Sequence, residues 1–284
     1  MAGRLQPITL AAVLFFLAAA IAPLFVPSWA TLFALILAKS IVVLGIILLL
    51  QAGQVSFGHA MFFACGAYAA AFWGKYVGDG DILLYLLLGA TSSTIFGLIV
   101  GLFVVRYREI FFGMLNLAFS MVLWSLLEKM FRYTNGADGI RVARPALLGM
   151  SFTPEIFQYV ILYVSLLTAV AAFLGVQRYL DSPLGHMLRA IKSNETRLEY
   201  LGTSARRVLL VGYVFSAFLG GGAHAFGAFA GAAVFEAVRF YAAAHLANAW
   251  QLILGVVLIV IILYAPGGLI GLRQRGKRAK QGAR

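Results

Sequence analysis

The sequence predicts an all-α membrane protein, a bundle of about eight transmembrane helices with a helical cytoplasmic loop. Two observations predict this fold class. Of the 284 residues, 62% are hydrophobic and 11% are charged, whereas about a quarter of the residues in a soluble domain are charged. The apolar residues also form continuous runs instead of alternating with polar ones, and a helical span needs about 20 of them. Because backbone groups find no water in lipid, such runs are expected to be helices.

Eight apolar segments follow one another along the chain. They cover residues 8–26, 30–50, 55–73, 82–105, 110–131, 156–176, 208–234 and 252–264. The first could pass for a signal peptide, but no small-residue cleavage site is evident and we expect it to be a retained span. The third contains His59 among glycines and could be re-entrant instead of spanning, which is tolerated where protein or a water-filled cavity covers the backbone.

The lysine and arginine residues indicate the orientation of these segments. With eight crossings and a cytoplasmic N-terminus, fifteen of them lie inside and six outside, with Lys39 within a span. An excess of positive residues on the cytoplasmic side orients membrane proteins. We therefore expect both termini in the cytoplasm, residues 1–272 to form the transmembrane domain, and residues 273–284 to form a basic cytoplasmic tail. The net charge of +12 is then explained by the positive residues that orient the protein in the membrane, and we expect no nucleic acid as partner.

The sequence offers no chemistry typical of an enzyme. Cys65 is the one cysteine, and the four histidines are scattered without the spacing of metal ligands. The sequence GxxxxGK[ST], which cradles nucleotide phosphates, does not occur. No nucleophile lies in a pattern with a base. We expect no metal, no bound cofactor and no catalytic residue.

The inner connection, residues 179–207, is predicted to contain two short helices. Ser182 can cap the first and Pro183 can occupy its first position. Apolar residues then recur at helical spacing, at Leu184, Met187, Leu188 and Ile191. Ser193 or Asn194 can cap the second helix, and Gly202 can end it. Such a loop could lie in the headgroup layer of the bilayer, its basic residues on anionic lipid, or dock in the groove of a partner protein.

Five stretches of this chain together resemble one protein family. They are GQVSFGHAMFFACGAYAAA at 53–71, REIFFGMLNLAFSMVLWSL at 108–126, TNGADGI at 134–140, SPLGHMLRAIKSNETRLEYLG at 182–202 and WQLILGVVLIVIILYAPGGLIGL at 250–272. In this order they resemble the permease subunits of branched-chain amino acid ATP-binding-cassette (ABC) importers. The fourth is similar to the cytoplasmic coupling loop of that family.

The resemblance implies a subunit that forms half of a transmembrane pathway in the bacterial inner membrane. The implied partners are a second homologous permease, two cytoplasmic ATPase subunits that use ATP, and an external solute-binding protein. The positions that match the coupling loop of the family are Ser182, Gly185, Arg189, Glu195, Glu199 and Gly202. Their implied role is mechanical: closure of the ATPase dimer pushes the loop and rocks the attached helices.

Polar residues within the spans are the candidates for the translocation pathway. They are Gln54, Ser56, His59, Asn116 and Ser120. Glycine-rich or broken helices near the bilayer midplane offer free backbone groups that can meet the carboxylate and ammonium of an amino acid. The alternative is that these side chains form hydrogen bonds between helices, with the small residues near them serving close packing.

Several alternatives stay open on the sequence alone. The same machinery could carry urea, short amides or other small polar solutes. A passive channel is a further alternative, although neither a ring of like charges nor a carbonyl filter is visible. Near residues 230–232, the chain also lacks a glycine-rich stretch of a few dozen residues that the family usually carries. The protein is then either a shortened permease with altered packing or an inactive one.

Overall fold

The computed structural model describes residues 7–26, 29–78, 80–136, 140, 144–200 and 202–219. The helices there are α1 (Pro7–Phe25), α2 (Trp29–Gln51), α3 (Ala60–Tyr76), α4 (Ile82–Val104), α5 (Glu109–Lys129), α6 (Phe131–Thr134), α7 (Pro154–Asp181), α8 (Pro183–Ser193), α9 (Glu195–Tyr200) and α10 (Ala205–Leu219). In this part of the chain, α2, α4, α5 and α7 are long and apolar enough to cross a membrane.

Most of the predicted segments coincide with these helices. Helices α1, α2, α4 and α5 match their predicted segments to within two residues, and α7 extends further at both ends. Helix α10 begins three residues before the predicted segment 208–234. The rest of that segment, the segment 252–264 and the departure near residues 230–232 lie outside the described residues. The count of eight crossings therefore stays a prediction.

The helices pack into two joined groups. Helix α3 packs along α4, α2 packs along α7, and α10 lies against both α4 and α2. One buried cluster joins side chains of α2, α3, α4, α5, α7 and α10 with those of α8 and α9, and the other joins α1, α2 and α7. Helix α8 contacts α2, α7 and α10. Helix α8 lies at the end of the bundle where α2 ends and α5 begins. We call this the loop end, and we call the opposite end the far end.

Small residues allow α4 and α10 to approach closely. A Cβ atom added at Gly97 would overlap that of Ala217, and one at Gly101 would lie 2.7 Å from the ring of Tyr213. The two glycines are four residues apart and therefore face the same way. Close contact of small residues is what drives helix association in lipid, where the hydrophobic effect between spans is absent.

The predicted segment 55–73 differs most from the structure, because its helix begins only at Ala60. Gly53 has a φ of +74° at the end of α2, and its N–H donates to the carbonyl of Leu50 while that of Gln54 donates to the carbonyl of Leu49. This double hydrogen bond is the Schellman arrangement that ends a helix at glycine. The chain therefore leaves α2 sharply, and residues 54–59 precede α3 without helical structure.

Segment 54–59 and α3 together extend from one end of the bundle to the other. At the loop end, the side-chain oxygen of Gln54 accepts a hydrogen bond from the N–H of Glu109, the first residue of α5. At the far end, Nζ of Lys75 donates to the carbonyl of Tyr133, just beyond α5. Because the two contacts lie at opposite ends of α5, this part of the chain crosses the bundle instead of re-entering at one end.

Candidate functional site

Helix α8 begins as the sequence predicts. The hydroxyl of Ser182 accepts a hydrogen bond from the N–H of Gly185 at 3.3 Å and donates to the carbonyl of Tyr179 at 2.6 Å. Pro183 occupies the first helical position, where no N–H is needed. Of the predicted apolar positions, Leu188 and Ile191 are buried, Met187 is half-buried and Leu184 is 41% exposed. The apolar stripe is thus shorter than predicted, and Leu184 faces away from the bundle.

Two of the matched loop positions fasten α8 to the end of α7. A Cβ atom at Gly185 would lie 2.3 Å from the carbonyl oxygen of Tyr179, so a larger residue has no room there. Arg189 donates from Nη2 to the carbonyl of Leu180 at 2.7 Å. This carbonyl lies in the last turn of α7, where backbone acceptors lack partners within the helix. Gly185 and Arg189 therefore set how α8 folds back on α7.

Helix α9 ends as predicted at Gly202, which has a φ of +78°. The N–H of Gly202 donates to Glu199 and that of Thr203 to Leu198, which is the same hydrogen-bonding pattern that ends α2. Leu198 is buried in the same cluster as Leu188 of α8. Both loop helices are thus packed on the core of the bundle.

Glu195, the first residue of α9, is paired within the chain. Its carboxylate accepts two hydrogen bonds from Arg108, one from Nε at 2.8 Å and one from Nη2 at 2.5 Å. These hydrogen bonds hold the pKa of Glu195 below its usual value, and partial burial, which raises it, is the weaker effect. Two parallel bonds between a guanidinium and a carboxylate also fix the orientation of both groups.

The remaining matched position, Glu199, is exposed. Tyr200 beside it is 86% exposed, and Thr196 and Leu184 also face outward. We call Leu184, Thr196, Glu199 and Tyr200 the docking surface. Of the six matched positions, five therefore shape or fasten the loop, and Glu199 is the one with no such role in the described part of the structure.

Four of the five pathway candidates lie in or near a buried polar cluster. Ser56, His59 and Asn116 are buried, as are Tyr213 and Ser216 of α10, which were not predicted. The ring of His59 contacts Ser56 Oγ through Nδ1 at 2.8 Å and Ser216 Oγ through Nε2 at 2.7 Å. Ser216 in turn donates to the carbonyl of Gly45 in α2 at 2.5 Å. One histidine thus joins three parts of the bundle.

These contacts fix the proton on the imidazole ring of His59. The hydroxyl proton of Ser216 is used on the carbonyl of Gly45, so Ser216 accepts from Nε2–H of His59. In a neutral imidazole the other nitrogen is then the acceptor, and Ser56 donates to Nδ1. Both ring nitrogens are therefore engaged by neighbouring hydroxyl groups.

Of the other pathway candidates, Asn116 is hydrogen-bonded to α10, whereas Gln54 and Ser120 are not bonded to the cluster. The hydroxyl of Tyr213 donates to Asn116 Oδ1 at 2.5 Å, and Nδ2 of Asn116 donates to the carbonyl of Phe112. Gln54 lies apart, at the loop end, where it holds the N–H of Glu109. Ser120 is half-buried one turn beyond Asn116 and is not hydrogen-bonded to this cluster.

Sequence reasoning missed three residues of these sites, for different reasons. Tyr213 and Ser216 are three apart in an apolar segment, a spacing that puts both on one helix face and could have indicated a polar stripe. In the sequence, Arg108 cannot be distinguished from the other positive residues that flank the spans. Its partner Glu195 is 87 residues away, and nothing in the local pattern reports that distance.

A partly open cavity of about 930 Å³ lies beside the polar cluster. Helices α2, α3, α4, α7 and α10 line it, mostly with apolar side chains. His59 and Ser216 lie in its wall, together with Ser93 of α4 and Thr168 of α7. At the far end it reaches Arg144. A small solute with an apolar side chain would meet hydrogen-bonding groups at only a few places in this mostly apolar wall.

Comparison with known proteins gives a consistent picture. The family described as branched-chain amino acid transport system / permease component matches residues 26–223. Two curated relatives, from Salmonella typhimurium and Escherichia coli, share the name high-affinity branched-chain amino acid transport system permease protein LivM. They are 28% and 27% identical over 193 residues, which is 60% of this chain and 44% of each relative. The chain thus spans less than half the length of these relatives. No solved structure matches it.

Proposed function

This chain belongs to the family of permease components of branched-chain amino acid transport systems, and from that premise we propose that it is one membrane subunit of an ATP-driven importer. Its cargo is a branched-chain or closely related amino acid. The loop end lies in the cytoplasm, both termini are cytoplasmic, and the membrane is the bacterial inner membrane. A second permease completes the pathway, two separate ATPase subunits use the ATP, and an external binding protein delivers the solute.

The observation that carries this proposal is the way the loop is anchored. Helix α8 contacts α2, α7 and α10, and Leu188 packs where a Cβ atom at Gly212 of α10 would lie. The aliphatic part of Lys192 lies against Gly53, at the end of α2. A force applied to this loop therefore acts on three helices of the bundle at once. Rigid elements packed in this way move as bodies, which is how alternating access is achieved.

The docking surface supports an ATPase as the partner at this end. Tyr200 offers a large exposed aromatic ring, a residue type enriched where protein interfaces derive most of their binding energy. Glu199 supplies one negative charge beside it, and Leu184 an apolar contact. Because the buried faces of α8 and α9 are already packed on the bundle, a partner would meet the exposed side of the loop, on which these residues lie.

The lining of the cavity supports the proposed class of cargo. An amino acid with a branched apolar side chain buries that side chain well in a mostly apolar site, whereas urea or a short amide needs many hydrogen bonds there. Both ring nitrogens of His59 are already engaged, so the group in this wall that could meet the polar end of such a solute is the hydroxyl oxygen of Ser216, which keeps a second lone pair. In this mechanism, rocking of the helices opens the cavity first to one side of the membrane and then to the other.

Uptake measurements test the proposal. The chain, co-expressed with its partner subunits, is reconstituted in vesicles containing ATP, and entry of labelled leucine is followed. We expect ATP-dependent uptake that excess isoleucine or valine inhibits and excess urea or acetamide does not. Inhibition by urea would assign the cargo to small polar solutes. Uptake without ATP would indicate a passive channel, and no uptake of any of these solutes would indicate an inactive shortened permease.

A further inference from the structure

Arg108 makes more contacts than the end of a span requires. It lies in the turn between α4 and α5 and donates two hydrogen bonds to the carboxylate of Glu195 in α9. Its third nitrogen, Nη1, donates to the carbonyls of Val105 at 2.5 Å and Tyr107 at 3.1 Å. Every nitrogen of the guanidinium is therefore used, and the group joins the end of α4 to the start of α9.

The next residue in the chain joins the same turn to segment 54–59. The N–H of Glu109 donates to Oε1 of Gln54 at 2.8 Å, and Gln54 is only 3% exposed. Glu109 has a φ of +52°, an unfavourable conformation for a residue with a side chain, and one that persists only where the surroundings hold it. Two neighbouring residues thus connect α9 on one side with Gln54 on the other.

Segment 54–59 also fits closely against α5. A Cβ atom at Gly58 would lie 2.0 Å from the carbonyl oxygen of Asn116, and one at Gly113 would lie 2.9 Å from that of Val55. Backbone packed on backbone leaves little room for sliding, so a shift at Gln54 must displace the whole segment. That segment carries Ser56 and His59.

We propose that Arg108 is a positioning residue through which movement of α9 reaches the segment that carries His59. When α9 moves, the paired carboxylate moves Arg108, and the following peptide bond moves the N–H that holds Gln54. Lysine cannot replace Arg108, because a single ammonium group offers no fixed pair of hydrogen bonds to a carboxylate. The proposal rests on the proposed function only for the source of the movement, namely the ATPase.

A spin label on the segment tests this link without any partner subunit. In a Cys65→Ala background, Phe57→Cys provides the labelling site, since Phe57 is exposed. We expect the label to become more mobile in Glu195→Gln and in Arg108→Gln, although neither change touches residue 57. The exchange of charges in Arg108→Glu with Glu195→Arg is expected to restore most of the original spectrum, and Arg108→Lys to restore little of it.

Two exposed residues provide matched controls. Arg106→Gln removes a positive charge from the same turn, and Asp181→Asn removes a carboxylate at the same end of the bundle. Neither is expected to change the spectrum. Unchanged mobility at residue 57 in both Glu195→Gln and Arg108→Gln would overturn the proposal. So would equal effects of Arg106→Gln and Arg108→Gln, which would indicate a general response to lost charge.

The uptake assay then separates this link from the proposed function. If the label responds as expected but the complex does not take up amino acids, the link stands and the proposed function is rejected. If the wild-type complex takes up amino acids, and the Arg108→Gln and Glu195→Gln complexes do so at the same rate, the link is contradicted and the proposed function stands. Each result therefore bears on one of the two proposals alone.

Discussion

The hydrogen bonds of His59 offset the free-energy penalty of burying a polar side chain and link neighbouring helices. A buried donor or acceptor without a partner costs about 1–3 kcal/mol. The neighbouring serines meet both nitrogens of His59, and Ser216 extends the contact to α2. The cluster therefore holds helices together whatever further part it plays in transport.

Loss of Ser216 is expected to reduce the stability of the bundle. Ser216→Ala leaves Nε2–H of His59 without its acceptor and removes the hydrogen bond from α10 to the carbonyl of Gly45, so the melting temperature of the protein in detergent should fall. Ser125→Ala is the matched control, because Ser125 is exposed on α5. Equal melting temperatures for the wild type and Ser216→Ala would show that these hydrogen bonds do not hold the helices.

The pair of Arg108 and Glu195 predicts a pH dependence of the loop. The pKa of Glu195 lies below its ordinary value of 4.5 in the folded protein, so the pairing stabilises the folded loop at higher pH and is lost as the pH falls through the lowered pKa. A spin label at Ser193→Cys should therefore keep its mobility from neutral pH down to about pH 5. Below 4.5 it should become more mobile.

The variant Glu195→Gln controls this measurement. Its amide cannot titrate, so the label at residue 193 should be mobile already at neutral pH and change little on acidification. A transition of the same size in wild type and in Glu195→Gln would assign the pH dependence to other groups.

The structural roles and partners of single residues were only partly predictable from the sequence. Ser182, Pro183 and Gly202 act within a few residues of their position, and their predicted roles at helix ends are confirmed. The partners of Glu195 and His59 come from distant parts of the chain. Local spacing carries no information on such pairs, and the mechanical roles of the matched positions stay predictions.

At the scale of the helices, the position of α8 depends on one close contact. Gly185→Ala places a Cβ atom 2.3 Å from the carbonyl oxygen of Tyr179, so α8 must move away from α7 and lose the hydrogen bond from Arg189 to Leu180. We expect trypsin to cleave the loop of this variant faster in open membrane fragments. In the control Gly175→Ala, the added Cβ meets nothing within 4 Å. Equal cleavage of the two variants would mean that α8 tolerates the contact.

The helices themselves were the most predictable level. Continuous apolar runs report burial in lipid directly, which is why α1, α2, α4 and α5 lie within two residues of their predicted segments. The prediction was wrong at the start of α3, because hydropathy does not distinguish a helix from buried non-helical backbone. The sequence did contain the reason, because Gly53 stands at the end of an apolar helix.

At the scale of the whole molecule, the loop and the spans form one packed unit. The loop helices share one buried cluster with the spans, and Leu184 and Tyr200 are exposed on the other side of the loop. Family membership indicates transport, and this geometry indicates where an external force can enter. The proposed cargo and partner rest on the cavity lining and the exposed loop residues, and the hydropathy of the sequence reports neither of these.

Association with an ATPase is the sharpest test of the proposed function. The tagged chain is purified from its native membrane, and the eluate is assayed for ATP hydrolysis and for a second permease of the same family. We expect the wild type to retain an ATPase in stoichiometric amount, and Tyr200→Ala to retain much less while remaining folded. Purified wild-type chain without ATPase activity, or equal retention by Tyr200→Ala, would show that this loop does not dock an ATPase.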